Sequence, residues 1–247
     1  MSLSDINLRE KEFHNKLQSN KKGRFENIFY RALFKMFEDF NEYISNKAKN
    51  NIVLEYGCGI GSITEKIAKS QPQKIFGIDI SDVSINKAKN NSKDLNLNIN
   101  YSVDNCESTN FNNETFDLVY GSGILHHLEL KVAAKEINRI LKKNGEMVFL
   151  EPLGTNLFIN LYRKITPNSR SVDEHPLVDE DFKYLNSLFN SVRINYYGFF
   201  TLVFFLFYKD PKNSWVYKIS SKLDNFIFKF DFFKKLAWSV MIVAKKA

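Results

Sequence analysis

The stretch "VLEYGCGIGS", Val53 to Ser62, places three alternating glycines, Gly57, Gly59 and Gly61, behind an acidic Glu55 and a short apolar run. A turn so bare lets a ligand approach the main chain closely. Pyrophosphate-binding turns use G-x-G-x-x-G and seat the anion on the following helix. Here the third glycine comes one residue early, no G-K-[ST] follows, and Glu55 suits a cationic ligand better than a pyrophosphate. Side chains able to move a proton lie further along. His126 and His127 follow "GSGIL", His175 sits in "DEHP", and Glu151 ends the apolar run "EMVFLE". Histidine is the natural base near neutral pH. Each of these four also has a structural reading, as a cap, a hydrogen-bond partner or a loop-orienting group.

The elements that must carry these residues are legible from periodicity. From residue 52 onward, apolar runs alternate with amphipathic stretches: "NIVLEY", "KIFGID", "NINYSVD", "TFDLVYG" and "EMVFLE" read as strands. "GSITEKIAKS", "SDVSINKAKNNS" with Ser81 as N-cap, and "KVAAKEINRILKKNG" stopping at Gly145 read as helices. This rhythm specifies an α/β fold with a parallel sheet covered on both faces, whose ligand crevice opens beyond the strand ends, where Glu151 falls. After Glu151 comes a long proline-bearing connection, then a helix "DFKYLNSLF" and strands "SVRINYYG" and "WSVMIVAKK". Between these two strands sits a Phe- and Lys-rich insertion, residues 199–237, read as a helical cap, although "FIFKFDFF" also alternates as a strand would. Residues 1–50 read as a helical extension ahead of the main domain, 51–247, with "RFENIFYRALFKMFEDFNEYI" its clearest helix.

Composition narrows the classes. The 247 residues carry a net charge of +7 and two cysteines, Cys58 and Cys106, far apart. Neither a disulfide framework nor a metal-type spacing is visible, so no metal is expected and an intracellular, cytoplasmic location is. No apolar run reaches membrane-spanning length. Residues 209–247 hold nine lysines against three aspartates, with eight aromatics. Such a segment suits an anionic membrane surface over 199–247, or is a solvated lysine face above a Phe-rich core.

"VLEYGCGIGS" resembles motif I of the class I S-adenosylmethionine-dependent methyltransferases. The resemblance continues in register for about 100 residues, through "IFGIDIS", "SVDNCES", "FDLVYGSGILHHL" and "LKKNGEMVFLEP". It implies a Rossmann-like, seven-stranded, mostly parallel sheet of order 3-2-1-4-5-7-6. It also implies S-adenosylmethionine as cofactor, S-adenosylhomocysteine as product and a small-molecule acceptor. Its cofactor residues would be Glu55, Gly57, Cys58, Gly59, Gly61, Asp79, Ile80, Asp104, Asn105, Cys106 and Gly121, with Asp79 on the ribose hydroxyls and Asp104 to Cys106 at the adenine. Cys58 reads on its own as a small filler. For catalysis the candidates are His126, Glu151 and His175, with His127 behind them; proximity alone would also serve. The stretch "EPLGTNLFINLYRKITPNSRSVDEHPL" is similar to a recurrent segment in a subgroup of this family. It supplies Arg163 and Arg170 as an anion clamp, or Arg170 as an ion pair with Asp173 or Glu174. Phe25, Tyr30 and Arg31 are candidates for a lid over the pocket. The competing functions are an RNA or protein methyltransferase, disfavoured by the lack of an appended binding module, a non-catalytic cofactor-binding protein, and a Rossmann oxidoreductase, disfavoured by the glycine spacing.

Overall fold

Strand alternation decides which side chain meets which helix. In the computed structural model, which describes residues 5–19, 28–166, 171 and 173–247, seven strands form one sheet of order β3-β2-β1-β4-β5-β7-β6. They are β1 (Ile52–Tyr56), β2 (Lys74–Asp79), β3 (Asn100–Val103), β4 (Phe116–Ser122), β5 (Leu141–Pro152), β6 (Ser191–Tyr197) and β7 (Ser239–Lys245). The first five pair in parallel, and β7 runs antiparallel between β5 and β6. On one face, Val53, Leu118, Tyr120, Val148 and Met241 pack under α2 (Phe34–Ala48) and α3 (Ser62–Ala68). On the other, Leu54, Tyr56, Val119, Phe149 and Ile242 pack under α5 (Leu130–Ile140) and α7 (Asp179–Leu188). Neighbours along each strand thus belong to opposite faces, as a pleated strand covered on both sides requires.

The helices follow from their polar ends and apolar stripes. α4 (Asp82–Asp94) begins where Ser81 Oγ accepts the Ser84 amide at 3.0 Å, the expected N-cap. α2 buries Met36, Phe40, Ile44 and Ala48, at spacings of four, and so forms part of the main core. It is preceded by a 3-10 turn, Ile28–Leu33, and by α1 (Asp5–Ser19); Phe25 lies outside the described residues. The insertion is helical: α8 (Phe200–Val203), α9 (Trp215–Ile227) and α10 (Asp231–Lys234). The period-two pattern of "FIFKFDFF" is therefore no strand but a helix end and a short helix. Buried Asp224 of α9 holds this cap by accepting the amides of Phe199 and Phe200 at 3.2 and 2.6 Å and the Thr201 hydroxyl at 2.8 Å.

One sequence expectation is corrected. The helix read through to Gly145 ends at Ile140, and Leu141 already belongs to β5, paired with Phe116. The register then shifts, with Leu118 next opposite Glu146 and Asn144 left-handed at φ 63°. Helical spacing of Ile137, Ile140 and Leu141 continues across the junction, and only the pairing partner distinguishes helix from strand there.

Candidate functional site

The carboxyl ends of β1, β2 and β3 wall one end of a cavity of about 740 Å³, and the other end lies beyond β5 and β7. At the first end the chain leaves β1 through Gly57, Gly59 and Gly61, all left-handed at φ 62°, 52° and 88°. L-residues with a Cβ adopt this region only at a cost. A Cβ on Gly59 would meet nothing within 4 Å, so bare backbone borders the open space there. Asp79, at the end of β2, ties this turn down: its carboxylate accepts the Gly59 amide at 2.9 Å and the Ser81 amide at 2.8 Å. Ile80, Asn105 and Cys106 complete that end. The Asn105 side chain accepts the Glu107 amide at 2.9 Å, and burial pushes the Cys106 thiol well up, so it stays un-ionised.

Several sequence candidates do not line the cavity, and alternation explains the first. Glu55 shares its face of β1 with Val53, so it points beneath α3, where Thr64 donates to it at 2.5 Å. It is not placed to meet a cationic ligand directly. Burial pushes its carboxyl up to about 8, so near neutral pH it is largely uncharged. A folded-state value raised above the ordinary 4.5 contributes stability fully below that range and loses it as pH climbs towards 8. Glu55→Gln is therefore expected to match wild type in urea unfolding at about pH 5 and to exceed it at pH 8 by on the order of 1 kcal/mol or more. Parallel curves would contradict the assignment.

Cys58 packs with Ile85, Ala88 and Tyr101. A Cβ on Gly61 would strike the Tyr101 ring, and one on Gly121 would strike Phe149 and the Tyr56 carbonyl, so these two glycines serve packing. Asp104 spends its carboxylate on its own loop, accepting the amides of Asn105 and Asn110 at 2.9 and 3.0 Å. Arg31 is exposed and lies off the cavity. His175 is also exposed; its segment is fixed by its backbone amide, which donates to the His126 carbonyl at 2.7 Å, rather than by its ring.

Glu151 is fully buried and does not reach the cavity. Its carboxylate accepts the amides of Ile124 and Leu125 at 3.0 and 2.8 Å and lies 2.6 Å from His126 Nδ1. It thereby caps the 3-10 turn Leu125–His127 and orients a ring that does line the cavity. His127 lines it too, with Nδ1 3.1 Å from Glu10 of α1 and Nε2 3.8 Å from Glu174. Burial lowers its pKa, so the neutral ring is favoured.

At the far end Phe29, Tyr30, Phe158, Tyr162, Phe205 and Trp238 enclose an apolar space. Phe29 stands between the two sides, 4.7 Å from the Phe205 ring and 5.7 Å from that of Tyr162. Tyr30, a sequence candidate, packs 5.7 Å from Trp238. Arg163 of α6 (Leu157–Ile165) also lines the cavity and donates to the Leu153 carbonyl at 2.7 Å. Arg170 lies outside the described residues, and Asp173, offered as its partner, is bound bidentately by Arg9 at 2.8 and 2.9 Å. Sequence reasoning missed Asn7 and Glu10, which line the cavity from α1; polar residues on a polar helix carry no signal of their own.

Residues 53–145 match the family model described as a methyltransferase domain. Over 110 residues the chain is 36% identical to a ubiquinone/menaquinone biosynthesis C-methyltransferase of Rickettsia prowazekii, covering 41% of this chain and 44% of that protein. Over 124 residues it is 32% identical to a ubiquinone biosynthesis O-methyltransferase of Pelagibacter ubique, covering 49% and 50%. The chain spans about half the length of these curated relatives. Among solved structures, geranyl diphosphate C-methyltransferase of Streptomyces coelicolor superposes with a TM-score of 0.68 at 10% identity, covering 100% of both chains. Magnesium protoporphyrin IX methyltransferase of Synechocystis, with bound S-adenosylhomocysteine, gives 0.66 at 11%, covering 99% and 100%. At such identities the likeness is one of fold.

Proposed function

We propose that this chain, whose residues 53–145 match the methyltransferase-domain family model, is an S-adenosylmethionine-dependent methyltransferase of a small, largely apolar acceptor. The observation that carries the reading is one cavity with a bare glycine turn and the Asp79 carboxylate at one end and an aromatic chamber at the other. When bound, S-adenosylmethionine supplies an electrophilic methyl on a sulfonium. Gly57 and Gly59 would border its amino-acid portion, Asp79 would accept its ribose hydroxyls, and Ile80, Asn105 and Cys106 would flank its adenine. The chain's own work is then alignment, water exclusion and proton handling. Glu151 accepts Nδ1–H of His126, which leaves the Nε2 lone pair as a basic group for the acceptor. α1 acts as a strap over the cavity, fastened by Arg9 to Asp173 and by Lys11 to Asp82 at 3.0 Å. The test is transfer of labelled methyl into organic-soluble material when the protein meets a panel of quinol, phenol and isoprenoid acceptors. Label that stays with the cofactor across the panel would count against the chamber as an acceptor site; label in RNA or protein would replace the reading.

We also propose that the acceptor side meets an anionic membrane surface from the cytoplasm. On α6, Leu157, Phe158, Leu161 and Ile165 are all exposed, Leu157 by 77%. Leu206 and Phe207 of the cap are exposed beside lysines such as Lys209 and Lys212. Phe158 belongs both to this face and to the cavity wall. No described helix is long and apolar enough to cross a membrane, so contact would be interfacial. Vesicles rich in anionic lipid are expected to carry the protein down at low salt and release it at high salt. Leu206→Glu with Phe207→Glu should cut the bound fraction several-fold. Sedimentation unaffected by lipid would remove the proposal.

A further inference from the structure

We propose that His126, His127 and Glu174 bind one divalent transition-metal ion, zinc by preference, on the acceptor side of the cavity. One ring nitrogen of each histidine and one Glu174 oxygen lie within 4.8 Å of one another, and all three residues line the cavity. Two imidazoles and a carboxylate form a set suited to zinc and its neighbours, whereas calcium and magnesium prefer oxygen alone. Metal bonds of about 2.0–2.2 Å hold such ligand atoms roughly 3–4 Å apart. His127 Nε2 and Glu174 Oε1 stand 3.8 Å apart, too far for a hydrogen bond and suitable for a shared ion.

The surroundings repeat a feature of metal-binding histidines. Each ring has a buried carboxylate at Nδ1: Glu151 at 2.6 Å from His126 and Glu10 at 3.1 Å from His127. Such partners fix ring orientation and leave Nε2 to the ion. Three carboxylates around two histidines also favour a cation. With three protein ligands, the ion keeps a coordination position open to the cavity. For what the ion does there, the inference rests on the methyl-transfer reading: with His126 Nε2 taken up as a ligand, the ion in place of that lone pair would bind an acceptor hydroxyl and lower its pKa, so that the proton passes to water and the oxygen is held in anionic form.

The test is equilibrium dialysis of metal-free protein against Zn²⁺, with Co²⁺ visible absorption reporting the coordination. One Zn²⁺ per chain is expected. His127→Ala and Glu174→Gln should each weaken binding at least tenfold and abolish the Co²⁺ bands, and Glu151→Gln should weaken it by about 10- to 100-fold. His175→Ala, beside Glu174 but exposed, should bind as wild type does. A melting curve within a few degrees of wild type reports that each variant is folded, and S-adenosylhomocysteine binding is measured alongside. Absent or variant-independent Zn²⁺ binding would overturn the site, as would equal damage from His175→Ala. Zn²⁺ binding without S-adenosylhomocysteine binding would keep the site and sink the transfer reading; the reverse would do the opposite.

Discussion

Asp79→Ala is expected to weaken binding of S-adenosylmethionine and S-adenosylhomocysteine by about 1.5–3 kcal/mol, roughly 10- to 150-fold in Kd. The carboxylate ends β2 at the cavity wall, and only a carboxylate has the acceptor geometry for two adjacent hydroxyls. Its present partners make the effect larger than a ribose contact alone. By accepting the amides of Gly59 and Ser81, Asp79 fixes the glycine turn against the start of α4, and alanine frees that turn. Asp79→Asn keeps one acceptor oxygen and should fall between the two. Titration calorimetry reads the loss, and a melting curve within a few degrees of wild type separates it from unfolding. An unchanged Kd in a folded variant would remove Asp79 from the cofactor site.

Glu151 carries the other large effect. With no exposure, and with two backbone amides and the His126 ring converging on it, its removal strands buried donors. Glu151→Ala is expected to cost about 3–5 kcal/mol, a drop of roughly 6–20 °C in Tm for a domain of this size. Glu151→Gln separates position from charge. The amide can still accept from the 3-10 turn, but its NH₂ faces Nδ1 and drives the His126 proton to Nε2. That ring then offers the cavity a donor instead of a lone pair. The expected result is a folded protein whose kcat falls by about 10²-fold or more while cofactor affinity holds. Glu151→Asp should recover part of it. A stable Glu151→Gln with wild-type kcat would reduce Glu151 to a structural cap.

The sheet and the glycine-turn end of the cavity were largely legible because both rest on local signals. Period-two and helical spacing marked the strands and helices; Gly57 follows directly on β1, Asp79 is the last residue of β2, and Asn105 lies two residues past β3. That Glu55 lies off the cavity was readable from parity: it stands two residues from Val53, hence on the same face, under Thr64. His175 failed for a different reason. It sits in an irregular connection with no period to say which way a ring points, and its backbone, not its side chain, meets His126. The pairing of His127 with Glu10 joins residues more than a hundred apart through the placement of α1, which no local pattern encodes. The aromatic chamber assembles from the 3-10 turn Ile28–Leu33, α6 and the cap in the same non-local way.

The central claim is most directly tested by calorimetric titration of the wild-type protein with S-adenosylhomocysteine, which binds without turning over. The account predicts one molecule bound per chain, with a Kd in the micromolar range and competition by S-adenosylmethionine. A folded protein that takes up neither ligand would contradict it.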